Sequence, residues 1–417
     1  MVETPKPVVL RKTGWLLLVA TLILHAYLAW HLKDYIRNGY TDFTIFYSAG
    51  KILREGPRPS LYDRDLQYQV QKQFAPNVTI RHAALPYNHP PFEALLFVPL
   101  TWFSYFNAYL VWNLFNVVIL CMIPILLRDH VAILRTRPPW FWVLLTLAFF
   151  PTFMTLIQGQ DSILLLLIFV LTFVFLKKNM DFLAGCCLAL GLFRFHLVLP
   201  FALVLLLRGR RNAIFGFGSV AAGWLVISAG LVGWGTVLHY PQYVMRLETA
   251  GAGGAIVPAN MPTIHGLLAA ATPLIGKIVS EAVVGILSCA LVLIGVLCWP
   301  DKDKDKGRTN FDLSFSLVAL IAVLVSYHAY AHDLSILLLA LLLAAQHLRA
   351  IPMADQRNRN MLAPMFLLYL SPLYMLLWFY WQHLNLLGLV LLWWTWALWR
   401  EIRQQSKATS AELPGAS

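Results

Sequence analysis

The chain has 417 residues, of which 59% are hydrophobic and only 12% charged, with a net charge of +12 and a mean hydropathy of +0.66. That balance excludes an ordinary soluble domain and points to a polytopic membrane protein, with room for about ten or more spans of roughly 20 residues. The positive charge lies in short clusters between apolar runs, as in cytoplasmic loops and unlike a phosphodiester-binding groove. No nucleic-acid partner is expected.

The first apolar run, 13–31, follows Lys6, Arg11 and Lys12 and shows no small-residue cleavage site, so it reads as a retained helix. Further runs cover about 106–127, 139–157, 161–176, 181–193, 195–207, 212–234, 278–299, 311–327, 332–347, 361–380 and 384–400. Together they predict an all-α polytopic fold of about twelve transmembrane helices in one domain spanning 1–417. Basic residues mark Lys6/Arg11/Lys12, Arg128/Arg135/Arg137, Lys177/Lys178, Arg208/Arg210/Arg211, the stretch 302–308, Arg349/Arg357/Arg359 and Arg400/Arg403/Lys407. Placing all seven clusters in the cytoplasm gives a consistent alternation, with both termini and the tail 401–417 inside. The opposite face then holds 32–105, 158–160, the joint 193–195, and the segments 235–277, 326–331 and 381–384.

The segment 90–103 is apolar but opens on Pro90-Pro91 and contains Pro99. Its length of about 14 residues predicts a helix that lies in the outer interface or dips in and returns. The loop 32–105 carries amphipathic stretches at 46–53 and 61–74 and turn signals at Gly56-Pro57 and Pro86, which predict interfacial helices over the bundle. The Gly-rich stretch at 251–254 reads as a loop, and the alternating charge of 301–306 as a solvated linker. Cys121, Cys186, Cys187, Cys289 and Cys298 all lie in apolar runs without ligand spacing and read as buried free thiols.

Acids are scarce, and in this topology Asp42, Glu93, Asp161 and Asp333 all fall at outer helix ends, together with Arg194, His196, His328 and His332. Each has a plainer reading. Asp42 is a solvated loop acid, Asp161 and Glu93 complement helix N-termini, and the histidines cap carbonyls. Arg194 resists dismissal, because it joins two apolar helices too short to cross comfortably and would sit below the membrane surface. A charge there needs a partner: an acid in the bundle, or an anionic ligand such as a lipid phosphate, which suits the planar guanidinium. His196, His328 and His332 offer further donors.

The ordered motifs Thr41-Asp42-Phe43-(x3)-Tyr47-Ser48-Ala49, Leu61-Tyr62-Asp63, Tyr87-(x2)-Pro90-Pro91-Phe92-(x6)-Pro99-Leu100, Trp112-(x3)-Asn116 and Gln158-Gly159-Gln160 resemble glycosyltransferase family 87. The resemblance runs from about 40 to 335. It implies a GT-C fold and a polyprenyl-phosphate sugar donor, typically carrying mannose. It also implies an acid of the first extracytoplasmic loop as catalytic base, the position held here by Asp42. The chain departs from the family pattern in having Asp161 where Asn commonly follows Gly-Gln, and Arg194-Phe195-His196 where a Lys-Pro pair is common.

The expected function is therefore inverting transfer of a sugar from a lipid phosphate to a glycolipid or glycan acceptor at the outer face of the plasma membrane. Asp42 would be the base, with Arg194, His196, His328 and His332 at the donor phosphate and Tyr47, Tyr87, Glu93, Gln158, Gln160, Asp161 and Asp333 lining the pocket. No cofactor and no metal is expected, although a meeting of Asp42, Asp161 and Asp333 would reopen the question of a metal. A lipid or small-solute transporter or flippase is the competing reading. It lacks an inverted internal repeat and a midplane charge. A non-catalytic envelope scaffold would give Arg194 no reason to be buried.

Overall fold

The computed structural model describes residues 7–249, 257–300, 311–352, 355–374 and 385–411. The basic stretch 302–308, the Gly-rich stretch 251–254 and the joint 381–384 lie outside the described residues. Among the described residues every regular element is helical. In chain order the helices are α1 Pro7–His31, α2 Lys33–Arg37, α3 Phe43–Glu55, α4 Arg64–Lys72, α5 Pro76–Arg81, α6 Pro91–Phe97 and α7 Tyr105–Leu127. There follow α8 Pro139–Leu147, α9 Phe150–Gln158, α10 Ser162–Lys177, α11 Asp181–Leu190, α12 Phe195–Leu207, α13 Arg211–Val232 and α14 Trp234–Thr249. The last are α15 Ile264–Ala269, α16 Thr272–Ile275, α17 Lys277–Cys298, α18 Phe311–Val325, α19 Leu337–Leu348, α20 Gln356–Tyr369 and α21 Leu386–Ala411.

Six described stretches are long and apolar enough to cross a membrane, or seven if the bent pair α8–α9 forms one span. That is fewer than the twelve expected from apolar runs. Ser162–Lys177, Phe311–Val325 and Pro91–Trp102 are apolar but short. The 73° bend between α8 and α9 falls beside Pro151, whose ring denies the second helix a backbone donor at its start. Large apolar side chains stay exposed on α1, α13 and α17, among them Leu16, Ile23, Phe215, Val226, Ile278 and Ile286. Such faces fit hydrocarbon and not water. For the same reason the cysteines are free but mostly not buried: Cys121 and Cys289 are exposed and only Cys298 is buried.

The 27-residue run Asp181–Leu207 passes the length test as one span, but it is not one rod. A straight helix of that length would be about 40 Å long, yet Arg210 Nη1 lies 3.5 Å from Asp181 Oδ2. The chain doubles back at the 3-10 turn Gly191–Arg194, where Arg194 leaves helical geometry at φ −112, ψ 53. The two short helices thus form a V, with Arg194 at its apex.

This fold has two chemically different ends. At one, Lys177 Nζ pairs with Asp312 Oδ1 at 2.8 Å, Arg210 with Asp181, and His347 with Glu401 at 3.0 Å. The basic clusters around Arg135, Lys177, Arg210 and Arg400 gather there. At the other end of α10, about 24 Å away for 16 residues, Asp161 meets Arg194.

The segment 32–105 has a hydrophobic core of its own. Phe43, Phe46, Tyr87, Phe97, Tyr105 and Trp112 pack together with Phe153 of α9. Helix α3 is buried along Phe43–Gly50, so it is an internal helix and not the amphipathic surface helix that its pattern suggested. Gly50 lets its backbone touch α6: a Cβ there would lie 2.9 Å from the Phe97 carbonyl. Helix α4 is started by Asp63, whose carboxylate accepts from the Asp65 and Leu66 amides at 2.9 and 3.0 Å. Its buried Gln67 and Gln71 bind the Tyr87 and Leu85 backbones at 3.2 and 2.9 Å, which fixes the extended strip leading to His89.

Reporter fusions made after Ser60 and after Leu207 are expected to report opposite sides of the membrane, because the first point lies near the Asp161 end and the second near the Lys177 end. Identical reports from both would contradict this arrangement.

Candidate active site

The site is built on the turn between α9 and α10. Gly159 adopts the left-handed region at φ +64, and a Cβ there would sit 2.7 Å from Phe43 Cβ, so only glycine fits. Two side chains of α7 hold the turn: the Tyr109 hydroxyl donates to Leu156 O at 2.8 Å and Trp112 Nε1 to Gly159 O at 3.0 Å. The flanking glutamines then face the start of α3. Asp42 N donates to Gln158 Oε1 at 3.1 Å, and Gln160 Nε2 donates to Asp42 Oδ2 at 2.7 Å. The other end of the Gln160 amide accepts from Arg194 Nη2. One amide therefore bridges the loop acid and the buried cation.

Arg194 is 2% exposed. Its Nε and Nη2 grip Asp161 Oδ1 at 2.7 and 2.6 Å, and Nη1 lies 3.4 Å from Asp333 Oδ1. Asp161 occupies the N-cap position of α10 without capping it; its carboxylate is committed to the arginine instead. Asp333 is held by the Ser162 hydroxyl at 3.2 Å and the Tyr330 amide at 2.9 Å. The acid partner weighed for Arg194 is thus present, twice over. Asp42 differs from these acids. It is partly exposed, and among the described residues its Oδ1 takes no hydrogen bond.

The strip before α6 brings in a residue that the sequence reading did not single out. His89 Nδ1 lies 2.8 Å from Glu93 Oε2 and 3.9 Å from Asp161 Oδ2, with its ring packed edge-on to Phe46 at 4.9 Å. The Tyr87 hydroxyl donates to Pro90 O at 2.9 Å and lies 3.3 Å from Glu93 Oε2. Burial lowers the His89 pKa to about 3, helped by the neighbouring Arg194 charge, and raises that of Glu93 to about 7. The i, i+4 spacing of His89 and Glu93 across the double proline was the signal available in the sequence.

Of the remaining expected residues, His196 Nδ1 and Ser326 Oγ lie 2.8 Å apart, and the His196 ring lies 5.6 Å from that of His328. Burial lowers the His328 pKa to about 3, which keeps its imidazole neutral. A small cleft lined by Asn88, His89, Arg194, His196, Tyr327 and His328 opens on this group. His332 borders Asp333 at 3.4 Å. Tyr47 is not brought to the site: it is buried and donates to Phe103 O at 2.8 Å, bracing α3.

A buried cation flanked by carboxylates thus lies beside a partly exposed acid at one end of an apolar helical bundle. The profile of glycosyltransferase family 87 matches residues 87–327. The chain belongs to this family and is a glycosyltransferase of the membrane, in keeping with the GT-C class. The match takes in Tyr87, Glu93, Gln158, Gln160, Asp161, Arg194 and His196; Asp42, His328, His332 and Asp333 lie outside it. No curated protein and no solved structure matches the chain.

Gly159→Ala is expected to cost about 2 kcal/mol through left-handed strain, with a further penalty from the Phe43 contact. Thermal unfolding in detergent measures it, and an unchanged midpoint would show that the turn is not constrained as described.

Proposed function

We propose that the protein transfers a sugar, mannose by the family resemblance, from a polyprenyl-phosphate donor to a glycolipid or glycan acceptor, with Asp42 as general base. The observation that carries this reading is the Gln160 amide bridging Asp42 and Arg194, which joins a proton acceptor to a cation suited to a phosphate. In this mechanism the acceptor hydroxyl gives its proton to Asp42 Oδ1 as its oxygen bonds to the anomeric carbon. The carbon–oxygen bond to the carrier phosphate breaks with inversion, and the lipid phosphate leaves with the electron pair. Arg194 and neutral imidazole donors from His196, His328 or His332 stabilise the charge that develops. Gln160 holds Asp42 in place without taking its proton.

The site lies at the bundle end opposite the basic clusters, and positive loops face the cytoplasm. That supports a multi-pass plasma-membrane enzyme with an extracytoplasmic active site and with α6 as a partly inserted outer helix. A transporter would place its charges near the midplane with access from both sides, and here the acids gather at one end.

Asp42→Asn keeps the shape and the acceptor for Gln160 but removes the base. Product formation at saturating donor is expected to fall by about 10²–10⁴-fold, with donor binding largely retained. Near-wild-type turnover would move the base to Glu93, Asp161 or Asp333. Arg194→Lys retains the charge and loses the fork, so it should weaken donor binding while still folding. Arg194→Ala would leave two buried carboxylates unpaired, at about 3–5 kcal/mol. Unaltered donor affinity in Arg194→Lys, with a lowered melting point, would assign Arg194 a purely structural ion pair.

A further inference from the structure

We propose that His89, Glu93 and Asp161 together bind a divalent transition-metal cation of the Mn²⁺ or Zn²⁺ kind, next to Arg194. One ligand atom from each residue lies within 4.8 Å of the other two. Donors about 2.1 Å from a common ion stand roughly 3–4 Å apart, and His89 Nδ1 already lies 2.8 Å from Glu93 Oε2 and 3.9 Å from Asp161 Oδ2. All three residues are buried, and all come from elements fixed by other contacts: the strip pinned by Gln67 and Gln71, the first turn of α6, and the turn pinned by Trp112.

A second, independent observation concerns unused ligand capacity. Glu93 Oε1 and Asp161 Oδ2 are buried and accept no hydrogen bond from a protein donor, while the two carboxylates lie within hydrogen-bond reach of each other, so that a cation or a shared proton must hold them together. Arg194 takes Asp161 Oδ1, which leaves Oδ2 on the side of His89. The charge points the same way. Asp161 and Asp333 contact one guanidinium, with Asp42 joined to it through Gln160 and Glu93 held on His89, and no other Lys or Arg pairs with these acids among the described residues. A negatively charged phosphate would meet net repulsion there. One imidazole and two carboxylates suit Mn²⁺ or Zn²⁺, and three protein ligands leave positions open for an incoming oxygen. On the proposed transferase reading, that oxygen belongs to the carrier phosphate, and the ion would share its charge with Arg194. The rival account is one proton shared between Glu93 and Asp161.

The test uses the full-length protein purified in detergent, stripped with a chelator and titrated with MnCl₂, with free Mn²⁺ followed by electron paramagnetic resonance. Wild type is expected to withdraw one ion per chain. His89→Ala and Glu93→Gln should bind at least tenfold more weakly, and Mn²⁺ should raise the melting temperature of wild type but not of these variants. Asp129→Asn, a change to an exposed carboxylate paired with Arg135 at 3.0 Å, should bind as wild type does. No stoichiometric uptake by wild type, or uptake unchanged in both site variants, overturns the proposal in favour of the shared proton. The wild-type titration decides even if a variant fails to fold. Binding is read without donor or acceptor, so it is independent of whether Asp42→Asn abolishes transfer. Turnover lost in Asp42→Asn but unaffected by chelation would remove the cation and keep the transferase reading.

Discussion

Everything at the candidate site depends on one buried charge. Arg194 sits at the apex of a helical V, out of reach of water, where an isolated ion costs several kcal/mol even after relaxation. The cost is met by hydrogen-bonded carboxylates drawn from distant parts of the chain. Asp161 heads α10 and Asp333 lies in the 3-10 turn before α19. Gln160 adds a neutral acceptor. Because each of these stands at the end of an apolar helix, satisfying the arginine also sets the height of α10, α11, α12 and α19 relative to one another. The ion pair that anchors the bundle is therefore also what places functional groups at one level.

The second constraint is the core of the 32–105 segment. Its aromatic residues press α3 against α7 and α9, and the tight turn at Gly159 lets Gln158 and Gln160 reach the first residues of α3. Asp42 is positioned by a hydrogen bond from its amide and another to one carboxylate oxygen, which leaves the other oxygen unengaged among the described residues. Trp112, in the midst of the apolar run 106–127, spends its indole N–H on this turn. Loop packing and the placing of the acid are therefore one problem here: Gln158 and Gln160 hold Asp42, and aromatic residues outside the polar cluster hold the turn that carries them.

Excess acid is the feature that most shapes the site's chemistry. Two carboxylates directly on one guanidinium already exceed its charge, and Glu93 and Asp42 add more. A surplus of this kind has only two remedies, bound protons or bound cations, and the buried oxygens of Glu93 and Asp161 that accept no hydrogen bond from a protein donor mark where either would sit. A sugar phosphate entering the cleft by Arg194 and His196 would depend on that balance.

Composition and patterning determined that the chain is helical and membrane-borne, that Arg194 needs a partner, and that Asp42, Glu93, Asp161 and Asp333 belong to one end. These follow from hydrophobic length, charge clustering and the cost of a buried ion, all of which are local or one-dimensional properties. The motif order also carried the family. Which apolar runs are long enough to cross was not legible, because a run is read by its polarity while crossing depends on bends such as that at Pro151. The burial of α3 escaped the pattern as well: its polar positions, such as Thr44 and Ser48, are satisfied internally by Gly39 O and Ile45 O and so mimic a wet face. The spacing of His89 and Glu93 hinted at their pairing, but the approach of His89 to Asp161, 72 positions further along the chain, was invisible. Only the tertiary structure decides such meetings, since side chains converge through packing of separate elements and not through any spacing along the chain.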